Sequence, residues 1–225
     1  MGKVIAIDGP AGAGKSTISR LLAKKLGYRY LDTGAMYRAI TYLALEKGLN
    51  PEEGNDIVQL CKNIEMDFTP PDENNISHII INGQDLTDKI RSKEVDNNVS
   101  TIAKNKEIRE IMTRIQRKIA KSGKIILDGR DIGSRVLPDA EYKFFITASL
   151  EERARRRWEE YKAKGIAISL AEIEKEIAER DLEDSTREVS PLVQAEDAIL
   201  IDTSKMSIQE VLDKILSYIK DEGDG

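Results

Sequence analysis

Gly9-Pro10-Ala11-Gly12-Ala13-Gly14-Lys15-Ser16 fits the pattern G-x-x-x-x-G-K-[ST]. Small residues in such a stretch let backbone N–H groups curl around a polyphosphate. The N-terminus of a following helix adds partial positive charge. Lys15 then reaches the β- and γ-phosphates of a nucleoside triphosphate, and Ser16 can hold Mg²⁺. The match is short enough to arise by chance, so its flanks decide the reading. Upstream, Val4-Ile5-Ala6-Ile7 is a short apolar run that reads as a buried strand turning into the glycine loop. Downstream, over residues 14–27, Ile18, Leu21, Leu22 and Leu26 recur at helical spacing, and Gly27 suits a helix stop. Strand, glycine loop and helix open a parallel α/β fold, and residues Gly9 through Thr17 become the expected ATP-binding segment.

The rest of the chain continues that texture with one break. A second helix is expected over 34–47, with Met36, Ala39, Ile40, Leu43 and Ala44 inward, and a third after Pro51. Residues 64–90 contain Pro70-Pro71, Asn74-Asn75 and then Ile79-Ile80-Ile81 followed by Asn82-Gly83. Asn-Gly after a β-branched run signals a hairpin, so a small antiparallel insert is expected, reaching to about residue 95. Ile108, Ile111, Met112, Ile115 and Ile119 mark a long amphipathic helix. Strands are expected over 124–127, ending at Asp128, over 142–146 and over 198–201. Charged helices follow over 151–164 and 170–184, and a C-terminal helix over 208–219. Residues 221–225 are expected to fray.

The 225 residues suit a single α/β domain with an insert, and apolar residues at 40% against 33% charged mark a globular chain. The formal charge of -5 gives no global basic field for nucleic acid. Cys61 is the only cysteine, so no internal disulfide forms, and it reads as a small buried hydrophobe on a helix. With His78 the only histidine, a zinc site of the usual ligands and a serine–histidine hydrolase are both excluded. No apolar run approaches the ~18 residues of a membrane span, and no signal peptide is evident. A cytoplasmic monomer is the expectation.

GTPases carry D-x-x-G and N-K-x-D, and neither is present; Asn105-Lys106-Glu107 is followed by Ile108 where the Asp is needed. The chain is instead rich in arginine. Arg153, Arg156 and Arg157 lie within one helical turn of each other, and Arg180 and Arg187 follow. Such a run either forms a solvated face paired with Glu151, Glu152, Glu159 and Glu160, or closes over a triphosphate and neutralises the transferring group. Asp128 either completes the phosphate site at the end of its strand or caps the next turn. The residues themselves therefore leave open a kinase for a nucleotide or an alcohol acceptor, and a nucleotide-binding regulatory module.

Four blocks taken together narrow this. They are Gly9 to Thr17, Leu31-Asp32-Thr33-Gly34-Ala35-Met36-Tyr37-Arg38, Asp128-Gly129-Arg130-Asp131-Ile132-Gly133, and Glu179-Arg180-Asp181 through Asp184 and Arg187. With these the chain resembles bacterial cytidylate kinase over 3–220. The family also admits Ser where this chain has Thr33, and the hydroxyl is kept. The resemblance implies a P-loop parallel sheet flanked by helices, a small antiparallel nucleotide-binding insert, and a helical lid over about 150–187. It implies phosphoryl transfer from ATP, with Mg²⁺, to CMP or dCMP. Thr33, Arg38, Arg130 and Arg187 would hold the acceptor phosphate; Ser100, Arg109 and Asp131 would read the base; Arg180 and Asp184 would hold the sugar hydroxyls. Lys15, Arg130, Arg153, Arg156, Arg157 and Arg187 would neutralise the transferring charge. The attacking phosphate oxygen is already ionised, so no general base is expected.

Overall fold

A computed structural model describes residues 3–69, 72, 77–163 and 165–219. Its elements in order are β1 (Val4–Asp8), α1 (Lys15–Leu26), β2 (Arg29–Asp32), α2 (Thr33–Glu46), α3 (Gly54–Lys62), β3 (Met66–Phe68), β4 (Ile79–Ile81) and β5 (Gln84–Asp85). There follow α4 (Lys93–Lys104), α5 (Lys106–Ala120), β6 (Ile125–Gly129), β7 (Tyr142–Thr147), α6 (Leu150–Ala163), α7 (Leu170–Thr186), β8 (Ile199–Asp202) and α8 (Ile208–Tyr218).

Five strands pair in the order β2-β6-β1-β7-β8, all parallel. The glycine-loop strand β1 therefore runs through the centre, with Asp8 level with Gly129 of β6 and Phe145 of β7. Alternation along β1 divides the core. Ile5 and Ile7 pack with Leu22, Ile126, Phe144, Ile146 and Ile215 on the α1/α8 face. Ala6 packs with Leu31, Ile40, Ile57, Ile108, Met112 and Leu127 on the face covered by α2, α3 and α5. A sheet covered on both faces explains why β1 and β6 read as unbroken apolar runs.

The insert is a three-stranded antiparallel sheet, β3-β4-β5. Asn82 and Gly83, at φ 49 and 79, make the tight turn between β4 and β5 that their dipeptide signals. Ile79, Ile81, Leu86 and Ile90 dock this sheet on Ala35 and Ala39 of α2. The helices α6 and α7 form a hairpin around Ala154, Ile173 and Ile177. The turn signals at Pro70-Pro71 and Asn74-Asn75, the expected helix end at residue 164 and the expected fraying at 221–225 lie outside the described residues.

Three elements were not expected from the sequence. β2 is only four residues long and is extended because it joins the sheet edge beside β6. In α4, the poor helix formers Asp96, Asn97 and Asn98 obscure a helix that Ser92 caps and that buries Val95, Val99 and Ile102. Ile132–Val136 forms a single π-helical turn, held by an aspartate far away in sequence.

Candidate active site

The loops at the carboxyl ends of β1, β2 and β6 converge, the usual ligand position in an open parallel sheet. After β1, Gly9 has φ 147, and a Cβ there would lie 1.9 Å from the Ile146 carbonyl oxygen. No other residue lets the chain pass β7 so closely. Helix α1 starts at Gly14 (φ 87) with no side-chain cap, whereas Asp32, Ser92, Asn105, Ser169 and Ser207 cap α2, α4, α5, α7 and α8. The first-turn N–H groups of α1 are thus left for an external anion. Lys15 is 6% exposed and its Nζ donates to the Pro10 carbonyl at 2.6 Å, curled over the loop. Burial, with repulsion from Arg130, pushes its ammonium down to about 7.

Asp128 ties the three loops together. It accepts from Ser16 Oγ at 2.8 Å and Tyr30 OH at 3.0 Å, while Thr33 Oγ1 donates to its main-chain carbonyl at 2.7 Å. Burial first, and then the nearby Asp32, push its carboxyl up to about 7. A carboxylate and a hydroxyl 2.8 Å apart beside a phosphate loop form the hard-oxygen donor set that suits Mg²⁺, which takes one or two protein oxygens and fills the rest with phosphate and water.

A second clamp fixes β6 to β1. Asp8 Oδ1 and Oδ2 accept from Ile132 N–H at 2.8 Å and Gly133 N–H at 2.7 Å. These bonds hold the π turn and with it Arg130 and Asp131. Burial pushes the Asp8 carboxyl up to about 6, even though the two N–H groups oppose the shift. A carboxyl raised in the folded state contributes stability that is fully present below the unfolded value and lost as pH rises through the folded one. The window for Asp8 runs from 3.8 to about 6. The stability gap between wild type and Asp8→Asn is therefore expected to shift in favour of the variant by about 2 kcal/mol between pH 4 and 7. Urea midpoints at the two pH values measure this, and a gap independent of pH would show that Asp8 titrates normally.

Five arginines surround the space beyond Asp131. Arg109 pairs with Asp131 at 2.7 Å, both buried, and its guanidinium lies over the Tyr37 ring. Arg130 Nε meets Asp184 at 2.8 Å, and Arg187 Nη1 reaches the other oxygen of that carboxylate at 3.3 Å. Arg38 of α2 pairs with Asp96 of α4. Arg180 is pushed down to about 10, by burial first and then by Arg130 and Arg38. Burial alone would raise Asp184, but Arg130, Arg180 and Arg187 together hold its carboxyl below the usual range. Arg180 Nε and Arg187 Nη2 are buried donors with no hydrogen-bond partner among the described residues. Arg38, Arg109, Arg130, Arg180 and Arg187 against Asp96, Asp131 and Asp184 leave a surplus of two positive charges.

The remaining expected residues divide. Ser100 is half-buried on α4, and Thr17 is half-buried on α1. The three arginines of α6 go to three different partners. Arg153 is buried, donates to Ala11 O and Ala148 O at 3.0 Å each, and pairs with Asp181 at 2.6 Å. Arg156 donates to Thr203 O at 2.7 Å and pairs with Glu152 at 2.8 Å, while its Nη1 lies 3.8 Å from where a Gly14 Cβ would be. Arg157 stacks on Tyr161. The sequence reading overlooked Asp8, Tyr30, Asp96 and Thr203. Asp8 carried a readable signal, an acid closing an apolar strand; the other three gain their places only through tertiary pairing.

Comparison with known proteins follows the same pattern. The family model described as Cytidylate kinase matches residues 5–221. A cytidylate kinase of Bacillus cereus is 50% identical over 96% of this chain and 95% of that protein. One from Carboxydothermus hydrogenoformans is 50% identical over 98% of each. Among solved structures, a shikimate kinase from Bacteroides thetaiotaomicron covers 96% of this chain and 98% of its own at TM-score 0.51 and 11% identity, a likeness of fold alone.

Proposed function

The chain belongs to the cytidylate kinase family, and we propose that it moves the γ-phosphoryl group of ATP onto CMP or dCMP, giving ADP and CDP or dCDP. The observation that carries this reading is the arginine cluster opposite the phosphate loop. Its surplus of two positive charges, with two buried donors unpartnered, complements the near-double charge of a nucleoside monophosphate. Guanidinium forks bind such groups through paired hydrogen bonds.

In this reading the uncapped start of α1 and the loop N–H groups cradle the β- and γ-phosphates, and Lys15 leaves the Pro10 carbonyl to meet them. Thr33, Arg38, Arg130 and Arg187 hold the acceptor phosphate, and Arg180 and Asp184 the sugar. Asp131, oriented by Arg109, accepts from the cytosine amino group, with Ser100 and Arg109 donating to its acceptors. Uracil would turn a carbonyl oxygen toward the Asp131 carboxylate and lose the pairing. A magnesium ion held by Ser16 beside Asp128 would neutralise charge on the donor phosphates. The acceptor oxygen is already ionised, so catalysis consists of in-line positioning and charge neutralisation without a general base. Arg153, Arg156 and Arg157 ride on the α6/α7 hairpin, which serves as a lid that excludes water and suppresses ATP hydrolysis. The reading takes the enzyme to act as a cytoplasmic monomer. Among the described residues no helix is long and apolar enough to cross a membrane.

The test is a coupled ADP-release assay with ATP and Mg²⁺, offering CMP, dCMP, UMP, AMP and GMP in parallel. Fast release with CMP and dCMP, slow release with UMP and none with the purines is expected. Preference for another monophosphate would remove the base-reading roles while keeping the kinase. Hydrolysis independent of acceptor would point to a regulatory nucleotide module.

A further inference from the structure

Asp131 and Asp184 have a use in acceptor binding, but the third carboxylate of the cluster, Asp96, has none. It stands in the first turn of α4, where an acid suits the helix dipole, but Ser92 already supplies the cap. Its carboxylate instead crosses to Arg38 of α2, on Nη1, with the two side chains 19% and 31% exposed. Its charge is also felt by Arg157 of α6 and Arg180 of α7. One carboxylate is thus paired with an arginine of one helix and acts electrostatically on arginines of two others.

We propose that Asp96 is an internal competitor for the acceptor phosphate: it occupies Arg38 in the free enzyme and raises the concentration of nucleoside monophosphate needed to fill the site. The inference rests on the reading of Arg38 as a phosphate clamp. The physics gives it a sign. If the acceptor displaces Asp96, the ion pair is lost on binding and its free energy is subtracted from affinity. If Asp96 stays, it places a negative charge beside a dianion, which also weakens binding. Both routes raise KM for the acceptor. A carboxylate that merely oriented Arg38 would act in the opposite direction, and its removal would weaken binding. The pair also has a use in the free enzyme, because it offsets part of the repulsion among Arg38, Arg130 and Arg180.

The experiment compares KM for CMP at saturating ATP in wild type, Asp96→Asn, Asp96→Ala and Arg38→Ala, at low and at high salt. Both Asp96 variants are expected to lower KM for CMP about threefold, the size of a partly exposed ion pair, with KM for ATP unmoved. The difference should shrink at high salt. An unchanged or increased KM for CMP in Asp96→Asn, with Arg38→Ala strongly weakened, overturns the competitor role and leaves the clamp standing. Arg38→Ala binding CMP as well as wild type does would remove the clamp reading, and the competitor with it.

Discussion

Replacing Lys15 with alanine is expected to lower kcat by roughly a thousandfold, the upper end for loss of one preorganised charge donor, while the protein stays folded. Among the described residues the side chain has one hydrogen bond, to the Pro10 carbonyl, and is otherwise a buried cation pushed down to about 7 by burial and by Arg130. A lysine whose ammonium is disfavoured by burial costs stability at neutral pH and waits for a partner. A triphosphate supplies one, restores the positive charge and receives it where negative charge moves during transfer. Removing it should therefore leave the circular dichroism spectrum unchanged and Tm at or above that of wild type. The measurement is kcat by coupled assay alongside a melting curve. A folded variant that turns over within about tenfold of wild type would take the lysine out of the mechanism.

Asp131→Asn is expected to raise KM for CMP about a hundredfold and KM for ATP less than about threefold. The Asp131 carboxylate is buried and paired with Arg109 at 2.7 Å, while the Tyr37 ring lies beneath that guanidinium. Arg109 fixes the direction in which the remaining carboxylate oxygen is offered. An amide in its place can turn an NH₂ toward the cytosine amino group, two donors facing each other, and leaves Arg109 short of a counter-charge. In the proposed reading ATP is held by the phosphate loop and not by Asp131 or Arg109, so its KM is expected to move little. Steady-state KM values for both substrates decide the matter, and equal losses for CMP and ATP would mean that Asp131 supports the loop without reading the base. Asparagine is preferred to alanine because it keeps the volume of the buried side chain.

Much of the fold is legible because it is locally encoded. The strand, loop and helix around Gly9 and the hairpin at Asn82-Gly83 depend on backbone conformations that only a few residues favour, so they announce themselves. The strand β2 does not, because Arg29 to Asp32 is extended only by virtue of pairing with β6. Helix α4 hides behind Asp96, Asn97 and Asn98 although its buried positions keep helical spacing. The candidate site follows the same division. Lys15 and Ser16 are readable from spacing alone, whereas Ser100 and Arg109 carry no local mark and come from family resemblance. Shared helical spacing could not foretell that Arg153 and Arg156 would turn to Ala11 and Thr203, whereas Arg157 and Tyr161 form an i,i+4 pair within α6 itself. The roles of Asp8 and Tyr30 depend on residues more than ninety positions away.

The position of β1 at the centre of the sheet bears on how the enzyme comes into being. Neither neighbour of β1 is close to it in sequence: β6 follows only after β2, the insert and the five helices α1 to α5, and β7 later still. During synthesis this strand, apolar up to Asp8, emerges before its partners and then waits on the order of ten seconds for them. Neither the phosphate loop nor the Asp8 clamp can form in that interval, because each depends on chain not yet made. Val4 to Ile7 is thus the segment of this protein most in need of shielding while it is born, and the pairing that later secures the reaction centre is also the one that ends its exposure.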